Sequence, residues 1–149
     1  MNQPACPLCA PRPDSSPQWL KVAALTGSTL YLDRNQTYPG HCQLIFDRRH
    51  VEGLELLTPK EYAEQMSDLM RAASAISQAF KPDRMNYASM GNVVPHLHWH
   101  LVPRYRTDPR WGKPIYFTDL ADMPVTPLDE TAYAQSVTRI REQLERRKG

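Results

Sequence analysis

Three histidines alternate in the stretch PHLHWHLV, as His96, His98 and His100, and Cys6-Pro7-Leu8-Cys9 stands near the start of the chain. An imidazole can ligate a metal, attack an electrophile or carry a proton near neutral pH. A thiol pair at that spacing suits metal or redox chemistry. Side chains two apart on a strand share a face, so one row of imidazoles is expected, with Leu97, Trp99 and Leu101 filling the other, apolar face. Protonated together the three would repel, so some must be neutral, metal-bound or facing an anion. Met90-Gly91-Asn92, just before the row, offers flexible backbone that could approach an anion closely.

The elements that must position these groups are readable from local patterns. KVAAL (21–25) and STLYLD (28–33) flank Thr26-Gly27, a hairpin signal, and CQLIF (42–46) follows the Pro39-Gly40 turn as a third strand. Thr58-Pro59-Lys60-Glu61 starts a helix with a capping box and a proline in its first turn. Tyr62, Met66, Leu69, Met70, Ala73, Ile76 and Phe80 keep a helical period up to Lys81-Pro82, which makes Met66 and Met70 core residues. RMNYASM (84–90) reads as a fourth strand and the histidine run as a fifth, ended by Pro103. A last helix is expected from about Pro127, after Thr126, with Tyr133, Val137, Ile140 and Leu144 as its apolar stripe. Its basic end suits a helix C-terminus and a solvated face. Strands and helices segregated in this order predict an α+β fold: an antiparallel sheet of about five strands with a long helix and a C-terminal helix.

At 149 residues the chain is expected to be one domain, residues 1–149, able to bury a core without disulfides. Residues 1–18 read as an irregular N-terminal segment and 104–127 as an irregular connection to the last helix. A formal charge of +2 gives no case for nucleic acid or membrane as partner. No apolar run is long enough to span a bilayer and the N-terminus lacks a signal-peptide pattern. Three cysteines, Cys6, Cys9 and Cys42, point to a reducing compartment, and the cytoplasm is the default. Cys42 reads as a buried packing residue.

The run HLHWHLVPR, with PGH at 39–41, LDRNQTYPGH and RRHVEGLELLTPKE, resembles the histidine triad (HIT) superfamily of nucleotide hydrolases and nucleotidyl transferases. The resemblance runs from Cys6 to about Arg104. It implies that His98 is the nucleophile that attacks the α-phosphorus of a nucleotide, giving a covalent nucleotidyl-histidine later hydrolysed by water. It implies that His100 donates to phosphate and that His41 orients the row. Asp33 falls where the family binds ribose hydroxyls, although beside Arg34-Asn35 it could equally be a turn aspartate. Asn92 takes the place of a family glutamine and can still donate to phosphate. Val93 replaces a hydroxyl residue and cannot. Many members hold a structural zinc, and here its ligands would be Cys6, Cys9, His50 and His96.

The expected function is hydrolysis at the α-phosphate of dinucleoside polyphosphates or nucleoside monophosphate conjugates. The expected partners are a small-molecule nucleotide and a second copy in a homodimer. Two alternatives stay open: a non-catalytic nucleotide-binding module, and a metalloprotein with a catalytic metal on the histidine row. Arg104, Arg106, Arg110 and Lys113 could reach outer phosphates or form a solvated basic loop. Tyr105, Trp111, Tyr116 and Phe117 could pack that segment down or wall a base pocket.

Overall fold

The computed structural model describes residues 5–115 and 123–146. Five strands form one antiparallel sheet: β1 (Trp19–Ala24), β2 (Ser28–Asp33), β3 (Cys42–Phe46), β4 (Arg84–Ala88) and β5 (His98–Arg104). Their spatial order is β1-β2-β3-β5-β4, so the last strand lies between β3 and β4. Helix α1 (Pro59–Phe80) joins β3 to β4, and α2 (Glu130–Arg146) follows the sheet. The expected α+β architecture, with its long helix and C-terminal helix, is what forms. Tyr116 and Phe117 lie outside the described residues.

Strand register assigns the two faces. Leu30, Leu44 and Trp99 lie abreast, as do Leu32, Cys42 and Leu101, and these residues pack under Ala72, Ala75 and Ile76 of α1 and Val137 and Ile140 of α2. Burial of these side chains supplies the main driving force for holding helices on sheet. Cys42 is fully buried there, as its strand pattern predicts. The alternate rows, Tyr31-Gln43-His100 and Thr29-Ile45-His98, point to the face away from the helices.

Helix α1 starts as its sequence says. The Thr58 hydroxyl accepts from Glu61 N–H, and the Glu61 carboxylate accepts from Thr58 N–H. Its buried side differs from the expected stripe. Gln65, Asp68, Ala72, Ala75, Ile76 and Ala79 face inward, while Tyr62 and Met70 are exposed and Met66 is half-buried. The physical reason is that Gln65 and Asp68 have polar partners in the β1–β2 hairpin. Gln65 Oε1 accepts from Ser28 Oγ at 2.7 Å, and Asp68 accepts from Thr26 and Gly27 N–H at 3.0 and 2.8 Å.

Further boundaries differ from expectation: β1 runs Trp19–Ala24 where 21–25 is expected, and β4 stops at Ala88, two residues short of Met90. Strand β5 begins at His98, because Pro95–Leu97 instead bonds to the 46–51 segment: Leu97 N–H donates to Val51 O at 2.7 Å and Phe46 N–H to Leu97 O at 3.1 Å. His96 therefore stands ahead of the strand, and Leu97 packs with Phe46 and Val51 in a separate cluster. Pro103 does not end β5. Strand β3 starts opposite Leu101, so at position 103 only β4 lies alongside and the missing N–H breaks no central ladder. Helix α2 starts at Glu130, three residues after Pro127, where the Asp129 carboxylate accepts from Ala132 N–H at 2.8 Å.

Candidate active site

The open face of the sheet gathers the histidines. His98 and His100 project from β5, their rings 5.5 Å apart and edge-on. The His98 Nδ1 lies 2.6 Å from the His96 carbonyl oxygen. A carbonyl only accepts, so Nδ1 carries the proton and donates, and Nε2 of neutral His98 keeps its lone pair. The His41 Nε2 lies 3.1 Å from the His100 Nδ1, one ring nitrogen donating to the other. Burial, then the neighbouring His41 and His98, push the His100 ring down to about 3. Burial also lowers His41, against the opposing pull of the Asp33 carboxylate. Both rings are thus neutral at physiological pH.

The 33–41 loop sets His41 and Asp33. Gly40 turns it with φ of 92°, where a Cβ would sit 2.8 Å from the Phe80 ring, so a side chain is excluded. Gln36, almost fully buried, ties the loop together. Its Nε2 donates to the carbonyls of Asp33 and His41, at 2.6 and 3.1 Å, and its Oε1 accepts from Gly40 N–H at 2.8 Å. Asp33 does make a turn contact, accepting from Asn35 N–H at 2.8 Å through Oδ1. Its Oδ2 accepts from Gln43 Nε2 at 2.7 Å. One oxygen each of Asp33 and one nitrogen each of His41 and His100 lie within 4.8 Å of one another. Asp33 and Gln43 line a cleft of about 560 Å³ together with Trp19 and Tyr133. Asn92 is exposed on the loop ahead of the row.

A second cluster joins Cys6, Cys9, His50 and His96, whose ligand atoms also lie within 4.8 Å of one another. Cys6 Sγ is 3.5 Å from His96 Nδ1, and Cys9 Sγ is 3.4 Å from Nδ1 of both His50 and His96. Sulfur and nitrogen sharing a tetrahedral zinc, at bond lengths of about 2.3 and 2.1 Å, stand about 3.6 Å apart. The tautomers fit as well. His96 donates Nε2–H to the Phe46 carbonyl at 2.7 Å, which leaves its Nδ1 as a ligand, and His50 turns its Nδ1 to the Cys9 sulfur while its Nε2 lies 3.7 Å from the Glu52 carboxylate. The four side chains could therefore hold one zinc ion.

Some chemistry-bearing residues escaped the sequence reading. Gln36 sits inside LDRNQTYPGH with no role of its own assigned, Gln43 lies outside the family motifs, and only the register at 43 hints that a polar residue faces the histidines. Arg12 reaches from the N-terminal segment to the Tyr31 hydroxyl, at 3.0 Å, and to Asp47 and the Leu8 carbonyl. Arg104 is neither a phosphate ligand nor solvated. It is 2% exposed, paired with Asp108 at 2.8 Å, and donates to Asn86 Oδ1 and the carbonyls of Arg110 and Lys113. It organises the loop after β5 because a buried guanidinium needs all its donors satisfied. Tyr105 does pack that loop down, its hydroxyl donating to the Pro39 carbonyl at 2.7 Å.

Comparison with known proteins places this arrangement. The chain is 28% identical over 86 residues to an asymmetrical bis(5'-nucleosyl)-tetraphosphatase of Schizosaccharomyces pombe, covering 54% of this chain and 47% of that protein. It is 34% identical over 73 residues to a bis(5'-adenosyl)-triphosphatase of Saccharomyces cerevisiae, covering 46% of this chain and 35% of that protein. The matched region thus spans half or less of these relatives' length. A histidine triad protein of Bradyrhizobium japonicum has the same fold, with a TM-score of 0.77 at 24% identity over 85% of this chain and 91% of that one. A zinc-bound histidine triad family protein of Mycobacterium smegmatis superposes with a TM-score of 0.61 at 20% identity, covering 86% of this chain and 85% of that one. The HIT domain itself matches residues 20–107, more than half of the sequence and the whole of the sheet but one residue, and the chain belongs to the HIT domain family.

Proposed function

We propose that the chain hydrolyses nucleotides at the α-phosphate through a covalent nucleotidyl-His98, acting on dinucleoside polyphosphates or nucleoside monophosphate conjugates. The observation that carries this is the His98 Nδ1 contact with the His96 carbonyl at 2.6 Å, which leaves Nε2 free to attack. The names of the yeast relatives, a tetraphosphatase and a triphosphatase of dinucleosides, support the substrate class.

In the first step the Nε2 lone pair forms a P–N bond and the bond from phosphorus to the leaving-group oxygen breaks, its electron pair departing with the leaving group. Water then attacks phosphorus, loses a proton and displaces neutral His98, releasing a nucleoside monophosphate. The His96 carbonyl, facing Nδ1–H, stabilises the positive charge that His98 carries in the intermediate. His100, held by His41, contacts the phosphate oxygens, and Asp33 takes the ribose hydroxyls. Asn92 contributes a further phosphate donor. Val93 offers no hydroxyl to protonate a leaving group.

Cys6, Cys9, His50 and His96 hold a zinc ion whose contribution, when bound, is structural cross-linking. They fix the N-terminal segment against the turn that presents the His96 carbonyl to His98. The exposed Tyr62 and Met70 of α1 and Tyr87 of the edge strand β4 form the contact face of a homodimer, whose mass sedimentation equilibrium reads directly. Among the described residues no helix is long and apolar enough to cross a membrane, and cysteines used as metal ligands instead of disulfide partners suit a cytoplasmic setting.

The test is rapid acid-free quenching with diadenosine tetraphosphate, followed by mass spectrometry. An adduct of adenylate mass on His98, and a loss of turnover in His98→Ala of roughly a thousandfold or more, are expected. The Asp33-His41-His100 cluster favours a second reading, a catalytic metal. That reading requires two metal ions per chain and full loss of turnover on chelation without an adduct. Nucleotide binding with neither adduct nor turnover would leave a binding module.

A further inference from the structure

Gln43 stands out on the open face of the sheet. It lies in mid-β3, with Tyr31 abreast on β2 and His100 abreast on β5, while its chain neighbours Cys42 and Leu44 are fully buried in the core. Its Nε2 donates to Asp33 Oδ2 at 2.7 Å, and Asn35 N–H donates to Oδ1 at 2.8 Å. The carboxylate is therefore gripped once on each oxygen.

We infer that Gln43 is a positioning residue that sets the Asp33 carboxylate for a cis diol and so decides between ribose and deoxyribose. The inference rests on the reading of Asp33 given under Proposed function. An ionised carboxylate offers about four acceptor sites. With one on each oxygen already filled, one on each remains, which matches two adjacent hydroxyls. The terminal torsion of an aspartate is soft, so a carboxylate held only at Oδ1 can rotate about its axis. The Gln43 amide removes that freedom before the ligand arrives, and preorganisation of this kind lowers the ordering cost of binding. Gln43 also lines the same cleft as Asp33 and lies abreast of His100, so the ribose contact and the phosphate contact share one rigid strand pair.

The experiment measures binding of AMP and GMP, and of their 2′-deoxy counterparts, by calorimetry to the full chain. The variants are Gln43→Met, of similar reach without a donor, Gln43→Asn, with a donor one methylene too short, Asp33→Ala and the Asp33→Ala/Gln43→Met double variant. Both Gln43 variants should lower the ribo-to-deoxyribo affinity ratio roughly tenfold, a single well-placed hydrogen bond to a charged group. Deoxyribonucleotide affinity should stay within about twofold, which a merely structural defect would not spare. In the Asp33→Ala background, Gln43→Met should change the ratio no further. If Asp33→Ala loses the ratio while both Gln43 variants keep it, the positioning role is wrong and the ribose reading stands. If Asp33→Ala keeps the ratio, or if no nucleotide binds, the ribose reading fails and takes this inference with it.

Discussion

Asp68→Ala tests how the helix holds the sheet. Asp68 is fully buried in α1 and accepts two backbone N–H groups from the β1–β2 turn, Thr26 at 3.0 Å and Gly27 at 2.8 Å. Thr26 is exposed, so water can replace the lost carboxylate there, at a cost of about 0.5–1 kcal/mol. Gly27 is buried, and an orphaned buried donor costs about 1–3 kcal/mol. Together the substitution should destabilise the fold by about 2–4 kcal/mol. For a chain of this length each kcal/mol moves the melting temperature by about 2–4 °C, so a fall of roughly 5–15 °C is expected. Asp68→Asn should be no milder than half of this, because its amide group would turn N–H toward N–H. Differential scanning calorimetry reads the shift, and urea titration checks that the slope, hence the unfolded state, is unchanged. Hydrogen exchange at Gly27 gives the local signature. A melting temperature within 2 °C of the parent, with Gly27 still protected, would refute the assignment of Asp68 as the turn's anchor.

Removing metal should act through the fold before it acts through chemistry. Cys9→Ser should abolish stoichiometric zinc and lower the melting temperature, since metal affinity of a structural site is folding free energy; elemental analysis of carefully purified parent protein showing no zinc would end that reading. Stability should also fall with acid in a defined window. The His100 ring is lowered from 6.5 to about 3 in the fold, so between those values the unfolded chain binds a proton that the folded one does not. Stability is therefore fully present above about pH 6.5 and is lost as pH falls, by up to about 1.4 kcal/mol per pH unit. Urea midpoints for the parent and His100→Asn should diverge in slope between pH 6 and pH 4, and parallel slopes would show that His100 is not the titrating group.

Local signals were legible and tertiary ones were not. The Thr58-Pro59-Glu61 capping box and the Thr26-Gly27 hairpin each rest on contacts within a few residues, and each forms as read. The rotation of α1 about its axis is decided elsewhere. Two polar residues, Gln65 and Asp68, turn inward because hairpin donors await them, and Tyr62 and Met70 turn outward despite their apolar character. Periodicity alone favours the opposite choice. The histidine row was legible as chemistry but not as geometry, since His96 leaves the strand to face the thiols. Gln36, Gln43 and Arg104 are single polar residues whose roles depend on folded partners; Gln36 and Arg104 lie within family motifs, but nothing in sequence marks what they bind. The four-residue thiol and imidazole cluster required the family resemblance, because His50 on its own carries no spacing signal.

The strand order has a consequence for how the protein is made. β4 is synthesised before β5, yet among the described strands it pairs with β5 alone, while β3 keeps one edge open until β5 inserts. A nascent chain that has emerged only as far as residue 97 therefore presents β3 with one edge open and β4 with no strand partner, the kind of surface that recruits other chains and chaperones. Arrival of residues 98–104 pairs both strands and delivers His98 and His100 in a single event. The sheet cannot be completed without the histidine strand, so no partly built sheet can carry the reactive imidazole in its final setting. Truncation within residues 98–104 therefore removes the reactive imidazoles and the pairing of β3 and β4 together, so fold and chemistry are lost in one step.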